Sequence, residues 1–211
     1  MRRPEFIARQ AARPAGLLGR LLVKIMASET AAFNREVLAT VAPASDERIL
    51  EVGFGHGRTL AEAAAAAPST KFAGIDISPD AMRVAVARCE KLIAQGNVEL
   101  RVGESSVLPW PDAVFDKVFA VHTLYFWKDP QREARELARV LKAGGLLVLG
   151  FRDPSNTARS TFPASVYSFR SARELEVLLQ SVGLVGVETR AAGEGDLRIL
   201  RAHAPAEPAR A

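Results

Sequence analysis

The feature that most constrains this chain is "ILEVGFGHGRTL" at residues 49–60, an apolar run that breaks into Gly53, Gly55 and Gly57 before helical spacing resumes. Glycine costs backbone entropy, so three of them where a buried strand turns into a helix point to close approach of something to the main chain. The alternation continues downstream. Strands are predicted at 48–52, 71–76, 98–102, 115–121 and 146–151, with a hairpin of two more at about 185–190 and 196–203 joined by "AAGEG". Between them the spacing predicts helices over 58–66 and 78–95, a third from Asp129–Pro130 to the glycines at 144 and 145, and a fourth from the Ser171/Glu174 capping box to Gly183. Strands alternating with helices imply an α/β, doubly wound, Rossmann-like sheet of seven strands. It should be mostly parallel, with an antiparallel C-terminal hairpin and helices on both faces. In such sheets a ligand binds beyond the carboxyl ends of the strands, where the glycine turn falls.

The turn excludes two common ligands. A P-loop needs Lys and then Ser or Thr after its last glycine, and here Arg58 and Thr59 follow Gly57. The dinucleotide pattern G-x-G-x-x-G places its third glycine on Arg58. The pattern present is E-x-G-x-G-x-G, and the acidic Glu51 on the first strand disfavours a diphosphate and favours a cationic ligand end. Asp76 closes the second strand, where a carboxylate accepts hydrogen bonds from a ribose diol. Together they describe a nucleoside with a positively charged tail and no phosphates, a description that S-adenosylmethionine meets.

Four stretches carry a resemblance to the class I S-adenosylmethionine-dependent methyltransferases, in the small-molecule group of the ubiquinone and menaquinone C-methyltransferases. They are "ILEVGFGHG", "GIDISPDAM", "GESSVLPWPDAVFDKVFAVHTLYFW" and "ELARVLKAGGLLVL", in order across residues 45 to 152. The resemblance implies methyl transfer from S-adenosylmethionine to a small-molecule acceptor by in-line displacement. It implies that Gly53 and Gly55 admit the methionine part, that Glu51 holds its amino end, and that Asp76 binds the ribose. Ile77 would lie on the adenine ring, and Glu104 and Ser105 would meet its edge, although the family more often has Asp at the first of these. His122 would orient or deprotonate the acceptor, with Tyr125, Trp127 and Arg152 as acceptor-side residues; Asp153 is a further candidate there. Trp110 either closes over the adenine or packs on the sheet, and Cys89, in register with Met82, Val86 and Ile93, is a core residue. A nicotinamide-dependent oxidoreductase and a non-catalytic cofactor-binding protein of the same fold are the competing readings. Glu51 and Arg58 argue against the first.

Charge and composition bound the rest. Residues 1–24 hold Arg2, Arg3, Arg9, Arg13, Arg20 and Lys24 against Glu5 alone, so the formal net charge of +4 is a feature of the N-terminus. A nucleic-acid face needs basic residues clustered on the domain, so none is expected. An Asn/Asp-Pro-Pro-aromatic motif for base amines is absent after the fourth strand, where "VHTLYFWKDP" stands, and no cluster of metal ligands is spaced in the chain. The single cysteine excludes a disulfide framework. "GLLGRLLVKIM" at 16–26 is too interrupted to span a membrane or to serve as a signal peptide, so the chain is read as cytoplasmic. The expected organisation is an N-terminal helical lid segment over 1–44, the cofactor-binding domain over 45–204 and a tail over 205–211. The arginines of the lid would suit an anionic or amphipathic acceptor.

Overall fold

The computed structural model describes Glu5 and residues 30–153, 162–193 and 195–206. Helix α1 (Ala31–Val41) leads into strand β1 (Arg48–Val52), followed by α2 (Arg58–Ala66), β2 (Lys71–Asp76), α3 (Pro79–Ala94) and β3 (Val98–Val102). Then come β4 (Phe115–Val121), a single 3-10 turn (Leu124–Phe126), α4 (Pro130–Val140), β5 (Leu141–Arg152), α5 (Ala172–Ser181), β6 (Val185–Ala191) and β7 (Leu197–His203). The seven strands form one sheet in the order β3-β2-β1-β4-β5-β7-β6. The pairs from β3 to β5 are parallel, and β7 runs antiparallel to both β5 and β6. The hairpin therefore contributes a single reversed strand, inserted between β5 and β6. Among the described residues no helix is long and apolar enough to cross a membrane.

Strand alternation divides the core into two layers. Leu50, Val52, Ile75, Leu147 and Leu149 face the side covered by α4 and α5, while Ile49, Phe72, Phe119 and Val148 face α1, α2 and α3. Cys89 lies in the second layer, fully buried. Helix starts follow the local chemistry. Ser78 Oγ accepts from the Ala81 amide ahead of Pro79, Asp129 Oδ1 accepts from the Arg132 amide ahead of Pro130, and Ser171 with Glu174 completes a capping box. Helix α1 falls inside the segment expected to form a lid. It packs on the sheet through Phe33, Val37 and Val41, so closely that a Cβ on Gly150 would meet Val37 Cγ2 at 2.6 Å. Residues 1–29 of that segment, apart from Glu5, and most of the tail lie outside the described residues.

One boundary departs from the sequence reading. Helix α4 stops at Val140 rather than at the glycines, because Leu141 is already extended and pairs with Phe115. The ladder then shifts register before Lys117 pairs with Leu146. Gly144, at φ +72°, and Gly145, whose added Cβ would come within 2.8 Å of the Lys142 carbonyl, build an irregularity inside the strand.

Candidate functional site

The loops after β1, β2, β3, β4 and β5 surround a cavity of about 530 Å³. Glu51, Gly53, Gly55, Asp76, Ile77, Glu104, Ser105, His122, Tyr125, Trp127 and Arg152 all line it, so the fold brings these residues, though not Asp153, to one place. Trp110 is not among them. It is buried edge-on against Phe115 at 5.4 Å between ring centroids, beneath the Arg101 guanidinium, and belongs to the core.

The glycine turn is held from two sides. The Gly53 amide donates to the Ile75 carbonyl at 2.8 Å. Asp76 then braces the turn, with Oδ2 accepting from the Gly55 amide and Oδ1 from the Ser78 amide, each at 2.8 Å. Each of those oxygens keeps a second lone pair for a ligand hydroxyl. Burial pushes the Asp76 carboxyl up, against the lowering effect of the two amides. The three glycines serve different ends. All have positive φ, but a Cβ on Gly53 would strike the Thr123 methyl and one on Gly57 would meet Ala85 at 2.8 Å, while nothing lies within 4 Å of the same position on Gly55. Two of them let the loop after β4 and helix α3 approach the turn, and Gly55 alone faces open space.

Glu51 is 3% exposed, and its Oε2 has no hydrogen-bond partner. Burial, reinforced by the charge on Asp76, pushes its carboxyl up to about 8. A buried carboxyl of this kind is costly unless a cation or several donors meet it. Arg48 does not, since it pairs with Glu99. Among the described residues seven buried side-chain polar atoms lack a partner, and five of them belong to cavity-lining residues: Asn34, Glu51, Thr123, Trp127 and Glu133. That concentration fits a polar ligand with donors and a cationic end, as S-adenosylmethionine has.

The other side of the cavity is aromatic. His122 sits at φ +58° with its amide donating to Gly150, an uncommon conformation for a side-chain-bearing residue. Its Nδ1 lies 3.0 Å from the Tyr125 hydroxyl, which also accepts from the Arg152 amide. Burial, helped by the Arg152 charge, lowers the imidazole to about 4, and burial raises the Tyr125 phenol, so both are neutral at pH 7. Arg152 itself turns to Asp196, at 2.5 Å. Asp153 accepts from the Ala172 amide at 3.1 Å and so fixes the start of α5. Phe126, Phe162, Tyr167 and Phe169 extend the wall, with Tyr167 and Phe169 stacked at 5.6 Å.

The sequence reading missed Glu133, Asn34 and the aromatic run at 162–169. Signals for two of them were present. Glu133 breaks the apolar stripe that Leu137 and Val140 continue on α4, and "TFPASVYSF" places three aromatic rings within eight residues of loop.

A methyltransferase-domain family matches residues 50–149. The chain is similar to the O-methyltransferase cnsE of Penicillium expansum, 32% identical over 117 residues, which are 56% of this chain and 42% of that protein. It is similar also to the demethylmenaquinone methyltransferase of Thermotoga maritima, 30% identical over 137 residues, or 65% of this chain and 56% of that one. The chain thus spans about half the length of these curated relatives. Among solved structures, the complex between the Haloferax volcanii Trm112 methyltransferase activator and a putative methyltransferase contains a chain of the same fold. Its TM-score is 0.75 at 21% identity, covering 97% of this chain and 100% of that one.

Proposed function

Residues 50–149 form a methyltransferase domain of the class I S-adenosylmethionine-dependent fold, and from that premise we propose that this protein transfers a methyl group from S-adenosylmethionine to a small-molecule acceptor. The observation that carries the reading is the buried, unpartnered Glu51 carboxyl in the same cavity as Asp76, at the carboxyl ends of adjacent strands. When bound, the cofactor supplies a methyl group already activated on a sulfonium, so the chain's own work is orientation and exclusion of water. Glu51 holds the amino end, the free lone pairs of Asp76 accept the ribose hydroxyls, Ile77 lies on the adenine, and Gly55 gives the backbone room. His122, fixed by Tyr125, orients the acceptor for in-line displacement. The rings of Tyr125, Phe126, Tyr167 and Phe169 suit an acceptor with a flat apolar body.

We propose further that residues 1 to about 30 act as a lid over the acceptor end, a role in which their arginines would suit an anionic or amphipathic acceptor. Thr30 and Asn34, where that segment meets α1, line the cavity and support this placement. Calorimetry should show binding of S-adenosylmethionine and S-adenosylhomocysteine and none of NADH, and labelled cofactor should pass its methyl group to a member of a metabolite panel. NADH binding without adenosylmethionine binding overturns the reading, and tight cofactor binding without transfer to any acceptor makes the protein a non-catalytic binder. Deleting residues 1–26 should leave cofactor affinity within a few-fold and abolish transfer, and normal turnover by the truncated protein rules out the lid.

A further inference from the structure

Glu133 is the one acidic residue of α4 whose side chain is buried. It is 5% exposed, lines the cavity, and its Oε2 has no hydrogen-bond partner. The helix that carries it is stitched along the loop after β3. Arg132 Nε donates to the Ser106 carbonyl at 3.0 Å, the Leu108 amide donates to Glu136 at 2.7 Å, and Arg139 reaches the Leu108 and Trp110 carbonyls. These contacts hold Glu133 Oε1 within 3.5 Å of Ser105 Oγ, at the corner of the cavity assigned to the adenine edge. The acidic residue that the family pattern would use there, Glu104, is not buried. Its side chain is 56% exposed, with Lys128 Nζ at 4.0 Å.

The Glu133 carboxyl accepts from the Lys128 amide ahead of α4, and this cap-like contact still leaves Oε2 without a partner. Asp129 already caps α4 through the Arg132 amide, and the Glu133 amide donates to the Asp129 carbonyl in the ordinary helical way. Placing an apolar-stripe carboxyl in a cavity with one oxygen unmet is unfavourable unless a ligand supplies a donor. Burial pushes the Glu133 carboxyl up to about 7, against the Lys128 amide, so a donor arriving at Oε2 would draw it into the ionised form.

We propose that Glu133 is a further cofactor-binding residue, whose Oε2 accepts a hydrogen bond from the 6-amino group of the adenine in place of Glu104. The inference rests on the adenosylmethionine reading of the cavity. The test compares two ligands by calorimetry, S-adenosylhomocysteine and S-inosylhomocysteine, in which an oxygen replaces the 6-amino group. The wild-type chain should prefer the adenosyl ligand, and Glu133→Ala should weaken that ligand about tenfold while shrinking the preference by a similar factor. Glu133→Gln retains a carbonyl acceptor for the 6-amino group but adds an amide donor for the inosyl oxygen, so it should hold adenosyl affinity while narrowing the preference. Glu133→Met, of similar length and apolar, takes the place of the alanine variant if that variant does not fold. A variant that weakens both ligands equally shows a structural role and overturns the proposal, as does a wild type that does not distinguish them. A wild type that binds neither ligand overturns the adenosylmethionine reading itself.

Discussion

The two ends of the cavity are built by different means. At the β1–β2–β3 end, the main chain is what is held, by another strand's carbonyl and by one carboxylate. Positive-φ glycines, the Gly53–Ile75 hydrogen bond and the two amides on Asp76 fix the site with residues close in sequence to the motif. At the β4–β5 end, aromatic and charged side chains make the links, most of them between loops far apart in sequence. Tyr125 joins His122 to Arg152, Arg152 is drawn to Asp196, and Phe169 packs on Tyr125 at 4.9 Å. A backbone scaffold tolerates little change and suits an invariant ligand. A side-chain scaffold can be rebuilt by single substitutions, which suits an acceptor that differs between relatives.

The sharpest way to break this contrast is at Glu51, where the largest effect is expected. Glu51→Gln should weaken S-adenosylhomocysteine binding by about 2–5 kcal/mol at pH above 8, the range for removing one member of a buried charge pair. The carboxyl sits at about 8 without ligand, and only its ionised form attracts an ammonium. Wild-type affinity should therefore fall roughly tenfold for each pH unit below that value, a slope the Gln variant lacks. Stability without ligand should move the other way. A carboxyl raised in the folded state favours folding below its unfolded value of 4.5 and loses that contribution as pH rises through about 8. The Gln variant should thus gain on the wild type in thermal unfolding over that window. A wild-type binding curve as flat with pH as the variant's would remove Glu51 from the cofactor's amino end.

Asp76 comes next. Asp76→Ala should weaken the cofactor by about 1.5–3 kcal/mol, the scale of hydrogen bonds to a charged group. It should also speed amide exchange at Gly55 and Ser78, which lose their acceptor. Loss of affinity without faster exchange would mean that Asp76 contacts the ligand but does not brace the turn, and the contrast between the two ends would weaken.

The same contrast explains what the sequence disclosed. Strand positions, helix caps, and the places of Glu51 and Asp76 at strand ends are local or periodic features, and periodicity and spacing report them directly. The reasons for Gly53 and Gly57 were hidden, because the atoms they make room for, on Thr123 and Ala85, arrive from the loop after β4 and from α3. The stop of α4 at Val140 was hidden because Leu141 is drawn into a ladder with Phe115, and tertiary pairing outweighs the glycine signal three residues later. Tyr125 was legible as an aromatic following the fourth strand, but not as the bridge between His122 and Arg152.

The smallest predicted effect decides what His122 does. A general base contributes roughly 100-fold to 10,000-fold and works best with a pKa near the operating pH. His122 is held at about 4 by burial and the Arg152 charge, and its Nδ1 is engaged by Tyr125, so it is suited to orienting the acceptor as a neutral group. Its φ of +58° makes alanine a strained replacement, whereas asparagine tolerates that region. His122→Asn should therefore lower kcat at saturating cofactor by about 0.5–1.5 kcal/mol, one neutral hydrogen bond, with cofactor Kd unchanged. Tyr125→Phe, which frees the imidazole and leaves the Arg152 amide without its acceptor, should cost a similar amount. The wild-type kcat should show no break on account of His122 as pH falls through 6.5, the ordinary imidazole value, because the ring gains its proton only near 4. A hundredfold loss in the Asn variant, together with a wild-type break near 6.5, would make His122 a proton acceptor and mean that acceptor binding restores the imidazole to its usual range.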